Sequence, residues 1–236
     1  MAQPETLCFL PGLLCDAALW RHQMAALEGR FACRFVDLSG HDSMAGMAAR
    51  VIESTPNQFA LAGFSMGGYV AFEILRQAPE RVSRLALVDT RASPDSPETR
   101  EARRALLDLA THEDFAAVTE TLLPAYVHES RPADGALTGE IHAMAERLGP
   151  AVFRRQMAAI MGRPDSRPLL PKIACPTLLI CGRQDRRTTL SDHEEMATGI
   201  PGAEMVVLED CGHFAPLERP DDVTVALRAW LTLDGM

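Results

Sequence analysis

The stretch Phe59-Ala-Leu-Ala-Gly-Phe-Ser-Met-Gly-Gly68 decides how the rest of the sequence is interpreted. It places the pattern G-x-S-x-G directly after a short apolar run, which is typical of a β-strand, and directly before a helical pattern that stops ahead of Pro79. So tight a strand-to-helix turn requires glycine on both sides of the serine and holds the serine hydroxyl above the sheet. We therefore expect Ser65 to be a nucleophile, although a glycine-rich turn without chemistry gives the same short pattern.

Two further motifs follow predicted strands later in the chain. Gly182-Arg-Gln-Asp185 ends in an aspartate, and Cys211-Gly-His213 ends in a histidine. A serine hydroxyl is a weak nucleophile at neutral pH, so an imidazole must accept its proton and a carboxylate must orient the imidazole. The order Ser, Asp, His along the chain is the one expected for this strand-to-helix serine. We therefore predict Ser65 as nucleophile, His213 as general base and Asp185 as the orienting acid.

Asp89 is the alternative acid, because it too follows a predicted strand. Its other interpretation is a structural one, in which the carboxylate bonds the backbone or Thr90 at the strand end. We prefer Asp185 for the triad and expect Asp89 to be structural.

Short apolar runs that alternate with amphipathic stretches predict an α/β protein with a mostly parallel sheet. The six predicted strands are Thr6–Leu10, Cys33–Leu38, Phe59–Ala62, Arg84–Val88, Thr177–Cys181 and Met205–Leu208. The predicted helices of this region are Ala17–Leu27, Met66–Gln77 and Pro220–Leu231. The spacing of strands and helices therefore favours one large α/β unit.

From about residue 92 to residue 171 the alternation stops and the pattern becomes helical throughout. Breaks are expected at Pro124, at residues 131–135 (RPADG) and at residues 162–168 (GRPDSRP). We interpret residues 92–171 as a helical cap insertion, and residues 1–91 and 172–236 as the core domain that carries it.

The last helical stretch of this insertion, Pro150–Met161, has one apolar side. Phe153, Met157 and Ile160 or Met161 recur there at helical spacing. An apolar face of this kind commonly packs on the main domain, but adaptable methionines also line pockets for acyl chains. We predict a pocket roof formed by Phe153, Met157 and Met161, and hence an apolar pocket that prefers uncharged esters.

Composition excludes several classes of partner. The chain has 236 residues, is 47% hydrophobic and 23% charged, and carries a formal net charge of −9 with scattered arginines, so neither nucleic acid nor an anionic membrane is expected. Six cysteines without C-x-x-C spacing are predicted to be free thiols, and no secretion signal is visible, which favours the cytoplasm. No metal-ligand spacing such as H-x-x-x-H is present, so we expect neither a metal nor another cofactor. We expect a monomer or a small homo-oligomer.

These motifs resemble those of α/β-hydrolases of the small esterase, enol-lactonase and BioH-like group. The resemblance spans essentially the whole chain and rests on four segments: GFSMGG at 63–68, LVDT at 87–90, CPTLLICGRQD at 175–185 and EDCGHFAPLERP at 209–220. It implies the α/β-hydrolase fold: a mainly parallel six-stranded sheet flanked by helices, with a helical cap insertion and without the antiparallel amino-terminal strands of larger members. It also implies an oxyanion hole formed by the N–H groups of Leu13 and Met66, although Pro11 replaces the usual histidine of that loop.

The activity that the resemblance implies is carboxylic ester hydrolysis through an acyl-enzyme, on a small-molecule ester or lactone. Hydrolysis of an enol-lactone or thioester is the nearest alternative, since both form the same tetrahedral intermediate. A cofactor-free perhydrolase or haloperoxidase and a ligand-binding receptor also occur on this fold, and the fold alone does not separate them.

Overall fold

The six strands form one sheet in the order β2-β1-β3-β4-β5-β6, and every neighbouring pair is parallel. The structure is a computed structural model that describes residues 5–112 and 115–232. The strands are β1 (Thr6–Leu10), β2 (Ala32–Phe35), β3 (Phe59–Phe64), β4 (Val82–Val88), β5 (Thr177–Gly182) and β6 (Glu204–Leu208). The predicted α/β fold with a six-stranded sheet is confirmed. The strand β3 runs two residues further than predicted and thereby reaches the serine turn directly.

Helices cover both faces and the carboxyl-end edge of the sheet. They are α1 (Arg21–Leu27), α2 (Met44–Ser54), α3 (Met66–Gln77), α4 (Pro97–His112), α5 (Ala116–Tyr126), α6 (Gly135–Met161), α7 (Leu190–Gly199), α8 (Ala215–Glu218) and α9 (Pro220–Thr232). The sequence pattern had not indicated α2, although Ser43 caps it by accepting a hydrogen bond from Gly46 N. Within the described residues, no helix combines the length and apolar character needed to cross a membrane.

The segment between β4 and β5 contains α4, α5 and α6, as the helical pattern predicted. The expected break at Pro124 is wrong, because Pro124 lies inside the last turn of α5. A proline there removes one helical hydrogen bond, but the helix continues for two more residues and ends at Tyr126. The sharp change of direction lies instead in α6, at Gly149, whose φ of 72° is left-handed and favours glycine.

Two apolar clusters fill the faces of the sheet. On one face, α2 and α3 pack together, and on the other α1 packs against α9. The first cluster joins residues such as Leu10 and Val70 to Phe153, Met157 and Ile160 of α6, in the segment that we propose as the cap. This segment is therefore held on the sheet by shared apolar packing.

Candidate active site

Ser65 lies in the sharp turn between β3 and α3, with φ 50° and ψ −111°. A Cβ atom added to Gly63 would lie 2.6 Å from Gly67 O, so the two flanking glycines are required for the chain to turn so closely. Ser65 N donates to Val88 O at 2.9 Å, and Thr90 Oγ1 donates to Ser65 O at 2.8 Å. The strained serine is thus held from both sides, as expected where strain serves a functional site.

The side chains of Ser65, His213 and Asp185 form one hydrogen-bonded line. Ser65 Oγ lies 2.9 Å from His213 Nε2, and His213 Nδ1 lies 2.8 Å from Asp185 Oδ2. An ionised carboxylate can only accept, so His213 Nδ1 carries the proton and Nε2 accepts the hydrogen bond from the serine hydroxyl. This is the arrangement in which an imidazole can remove the serine proton during attack.

Asp185 is held in its ionised form by the groups around it. Burial alone would raise the pKa of this carboxyl, but the neighbouring His213 and several hydrogen bonds outweigh burial and lower it. The donors besides the imidazole are Arg187 N at 2.7 Å, Thr188 N at 3.1 Å and Thr188 Oγ1 at 2.6 Å. The carboxylate is therefore both charged and fixed in orientation.

Asp89, the alternative acid, makes no hydrogen bond to His213 in the described structure. Its Oδ1 accepts from Gly182 N at 3.0 Å and its Oδ2 accepts from Ala215 N at 2.9 Å. Burial, reinforced by the negative charge of Asp185, raises its pKa well above the ordinary value. Asp89 thus joins the end of β5 to the segment that follows His213.

Glu218, which is also buried, holds the loop that carries His213. Its Oε1 accepts from Gly212 N at 3.2 Å and Phe214 N at 3.1 Å, and its Oε2 accepts from His128 N at 2.9 Å. Gly212 lies so close to the cap that an added Cβ would come within 2.5 Å of His128 N. The histidine loop and the segment after α5 are therefore locked together.

The loop that contains Gly12 and Leu13 lies directly against the serine turn. A Cβ atom on Gly12 would approach the Phe64 ring to 2.7 Å and Ser65 Cβ to 3.4 Å. The neighbouring Leu14 N donates to the buried Gln156 Oε1 of α6 at 2.9 Å. Within the described part of the chain, the Leu13 N–H donates to no protein acceptor. Met66 N–H, at the start of α3, has no partner within its helix, so both amides are available to an oxyanion.

A cavity of about 180 Å³ opens beside Ser65 and His213. The residues that line it are mostly polar: Leu13, Ser65, Tyr69, Arg91, Thr99, Arg103, Tyr126, Ile160, Arg186, Arg187, Thr188, Thr189, Asp192 and His213. Of the second half of α6, Ile160 lines the cavity. Neither Phe153 nor Met157 does, because both are completely buried, and Met161 is half-buried and also lies outside the lining.

The structure therefore does not show the expected apolar pocket beside Ser65, because the cavity there is lined mostly by polar side chains. The apolar face of α6 packs on the main domain, which leaves the cavity to arginine, threonine and tyrosine side chains. Tyr126 also contacts His213 of the hydrogen-bonded line, since the centroids of the two rings lie 5.2 Å apart. The chemistry of the lining thus favours a substrate with polar or charged groups.

Comparison with known proteins gives the family. The model of the alpha/beta hydrolase family matches residues 9–227. The chain belongs to the alpha/beta hydrolase family. The pimeloyl-[acyl-carrier protein] methyl ester esterase of Nitrosomonas europaea is 28% identical over 91% of both chains.

Two solved hydrolases are similar throughout their length. A thermophilic esterase from Thermogutta terrifontis, solved with malate bound, superposes with a TM-score of 0.88 at 31% identity, covering 98% of this chain and 90% of that one. The enol-lactonase from Burkholderia xenovorans LB400 gives a TM-score of 0.87 at 25% identity, covering 98% of this chain and 92% of that one. The similarity therefore extends over most of the length of both solved hydrolases.

Within this alpha/beta hydrolase, several site residues were not predicted from the sequence. Gln156, Glu218 and the arginines of the cavity come from segments whose local patterns indicate only amphipathic helices or loops. The one available signal was a polar Gln156 next to the apolar Met157 on the face predicted to be buried. Among the described residues, no group of three His, Cys, Asp or Glu side chains could hold a metal ion.

Proposed function

We propose that this hydrolase cleaves carboxylic esters of small molecules with Ser65 as nucleophile, His213 as general base and Asp185 as orienting acid. Ser65 Oγ attacks the ester carbonyl while its proton passes to His213 Nε2, and the N–H groups of Leu13 and Met66 stabilise the oxyanion. His213 then protonates the leaving alcohol, which leaves an acyl group on Ser65. Water activated by the same imidazole releases the acid and restores the serine.

The observation that carries this proposal is the hydrogen-bonded line from Ser65 through His213 to Asp185, with both distances below 3 Å. The line begins at a strained turn and ends at a carboxylate whose pKa is lowered, so each member is set for its role. The similar proteins from N. europaea and T. terrifontis are both esterases by name.

Lactone hydrolysis is the second candidate, because the similar B. xenovorans protein is an enol-lactonase. A lactone is a cyclic ester, so the same attack opens its ring and leaves the alcohol attached to the acid. Comparing linear esters with lactones of the same acid on the purified protein separates the two activities.

We place the enzyme in the cytoplasm, as a monomer or a small homo-oligomer without a nucleic-acid partner. The support is the chemistry of the chain: six free cysteines, four of them buried, and a net charge of −9.

The test of the proposed function is Ser65→Ala assayed on p-nitrophenyl acetate. We expect kcat to fall by at least about four orders of magnitude with an unchanged circular dichroism spectrum, because the remaining groups retain only a small part of the rate enhancement. Ser191→Ala is the matched control, since Ser191 is exposed on α7 and does not line the cavity. Undiminished turnover in Ser65→Ala would assign the chemistry to another residue.

A further inference from the structure

Three arginines surround one buried aspartate beside the cavity. Asp95 Oδ1 accepts from Arg91 Nη2 at 2.8 Å and from Arg163 Nη2 at 2.9 Å, and Asp95 Oδ2 accepts from Arg103 Nε at 2.7 Å. The side chains of Asp95 and Arg103 are only 1% and 7% exposed. In this arginine cluster, formed by Arg91, Arg103, Arg163 and Asp95, three guanidinium groups share one carboxylate. The cluster therefore holds more positive than negative charge in a mostly buried place.

Two members of the arginine cluster face the candidate active site. Arg91 and Arg103 line the same cavity as Ser65 and His213. Arg103 Nη1 contacts Met157 Sδ at 3.8 Å, and a thioether is a weak acceptor. Arg103 Nη2 also donates to Asp95 Oδ1 at 3.3 Å, so Nη1 is the Arg103 nitrogen that has only a weak acceptor. A buried charged donor without a good acceptor is costly, so an anion entering the cavity would give Arg103 Nη1 a better partner.

The other walls of the cavity add positive charge. Arg186 and Arg187 line it from the loop that follows Asp185. Arg186 pairs with the exposed Glu129 at 3.1 Å, whereas the Arg187 guanidinium lies 5.4 Å from the Tyr126 ring centroid. Asp192 is the one carboxylate among the described residues that line the cavity, and its Oδ2 already accepts from Thr189 N and Oγ1. Since the chain as a whole carries −9, this positive cavity is a local feature and not a consequence of overall charge.

We infer that Arg103 and Arg91 bind a free carboxylate group of the substrate while Ser65 attacks an ester carbonyl elsewhere in the same molecule. The substrates would then be monoesters of dicarboxylic acids, or lactones that carry a carboxylate. A planar guanidinium matches a carboxylate with paired N–H donors. The inference rests on the proposed function and reverses the preference for uncharged esters that the sequence suggested.

The size of the site decides against a carboxylate on the surface of another protein. The Arg103 side chain is only 7% exposed. It lies at a cavity of about 180 Å³, which only a small group can enter. A purely structural role for the cluster, as an anchor of the cap, explains the bonds to Asp95 but not the weak acceptor of Arg103 Nη1 or the position of Arg91 and Arg103 in the lining of the cavity.

The test compares monomethyl with dimethyl esters of succinic, glutaric and adipic acid, which differ in one free carboxylate. For wild type we expect the kcat/KM of the best monoester to exceed that of its diester by at least tenfold. In Arg103→Gln, this ratio of monoester to diester kcat/KM should fall by at least tenfold. If Arg103→Gln folds poorly, Arg91→Gln should show the same fall. Arg104→Gln is the matched control on the same helix, because Arg104 is exposed and pairs with Glu101, and its ratio should equal that of wild type.

A binding measurement keeps the inference independent of turnover. By calorimetry, glutarate should bind wild type and Arg104→Gln equally and Arg103→Gln at least tenfold more weakly. A ratio near one in wild type, or glutarate binding that is absent or unaffected by Arg103→Gln, would overturn the carboxylate site while leaving ester hydrolysis intact. Tighter binding of inorganic phosphate than of glutarate would also overturn it, in favour of a phosphate-bearing ligand. If no ester is hydrolysed but glutarate binds through Arg103, the proposed function fails and the anion site stands.

Discussion

At the scale of single residues, two buried aspartates lie near the histidine and differ in what they contact. Asp185 bonds the His213 ring directly, whereas Asp89 bonds two backbone N–H groups, one at the end of β5 and one just after His213. Asp185 can control the tautomer of the imidazole, whereas Asp89 can only hold the loops on either side of it. Replacing Asp185 should therefore affect the rate of hydrolysis, and replacing Asp89 should affect stability.

We predict that Asp185→Asn lowers kcat by roughly three to four orders of magnitude, because the amide favours the wrong tautomer of His213. Asp89→Asn should instead lower the free energy of unfolding by about 1–3 kcal/mol, since an amide nitrogen cannot accept one of the two backbone hydrogen bonds. Ester hydrolysis and urea unfolding of both variants measure the two effects. A larger loss of kcat in Asp89→Asn than in Asp185→Asn would move the acid of the triad to Asp89.

A local pattern predicts that Ser65, Asp185 and His213 meet at one edge of the sheet, and the structure brings their side chains within hydrogen-bond distance. Ser65, Asp185 and His213 each end a strand in a short motif, so their positions along the sheet edge follow from the parallel topology. The arginine cluster forms only because α4 and α6 fold back on the loop after β4, which brings Arg91, Arg103 and Arg163 together. No local sequence pattern predicts that contact. The direction of the apolar face of α6 likewise depends on the turn at Gly149.

At the scale of elements, Asp95 ties three parts of the chain together. Its partners lie in the loop after β4, in α4 and just after α6, so one carboxylate anchors both ends of the cap. Burial opposes its ionisation, but the hydrogen bonds from Arg163 and Arg103 outweigh burial and hold the pKa of Asp95 well below its ordinary value.

We predict that Asp95→Asn lowers the free energy of unfolding by about 3 kcal/mol at pH 7, because it leaves buried guanidinium groups without their counter-ion. Since the folded pKa is lowered, this stabilisation is complete above the ordinary carboxyl pKa of about 4 and is lost as the pH falls below it. Urea unfolding should therefore show a gap in stability between wild type and Asp95→Asn that stays constant from pH 7 to about pH 5 and narrows below about pH 4.

The matched control for Asp95 is Asp210→Asn, which removes an exposed ion pair with Arg219 and should change stability by less than about 1 kcal/mol. Equal effects of the two substitutions, or a gap that widens toward low pH, would contradict the anchoring role of Asp95.

At the scale of the whole molecule, cap and core share one apolar cluster. Phe153, Met157 and Ile160 of the cap pack in the same cluster as Leu10 and Val70 beneath it. A cap held by shared packing of this kind should not unfold by itself, because its exposed apolar face would be left in water.

We predict a single unfolding transition in urea. Both tryptophans, Trp20 and Trp230, are buried in the core domain, so fluorescence follows the core, whereas circular dichroism at 222 nm also follows the cap helices. The two signals should have the same midpoint if cap and core unfold together. A lower midpoint by circular dichroism than by fluorescence would show that the cap unfolds first and is a separate unit.

All of the proposed chemistry depends on Ser65 being an activated nucleophile. The measurement that tests it is the mass and the modified peptide of the protein after exposure to an organophosphonate ester, which reacts with activated serines and remains attached. The expected result is one phosphonyl group per wild-type chain, located on Ser65, with no label on Ser65→Ala and a much slower reaction in His213→Ala. A label on another residue, or equal labelling of wild type and Ser65→Ala, would contradict the account.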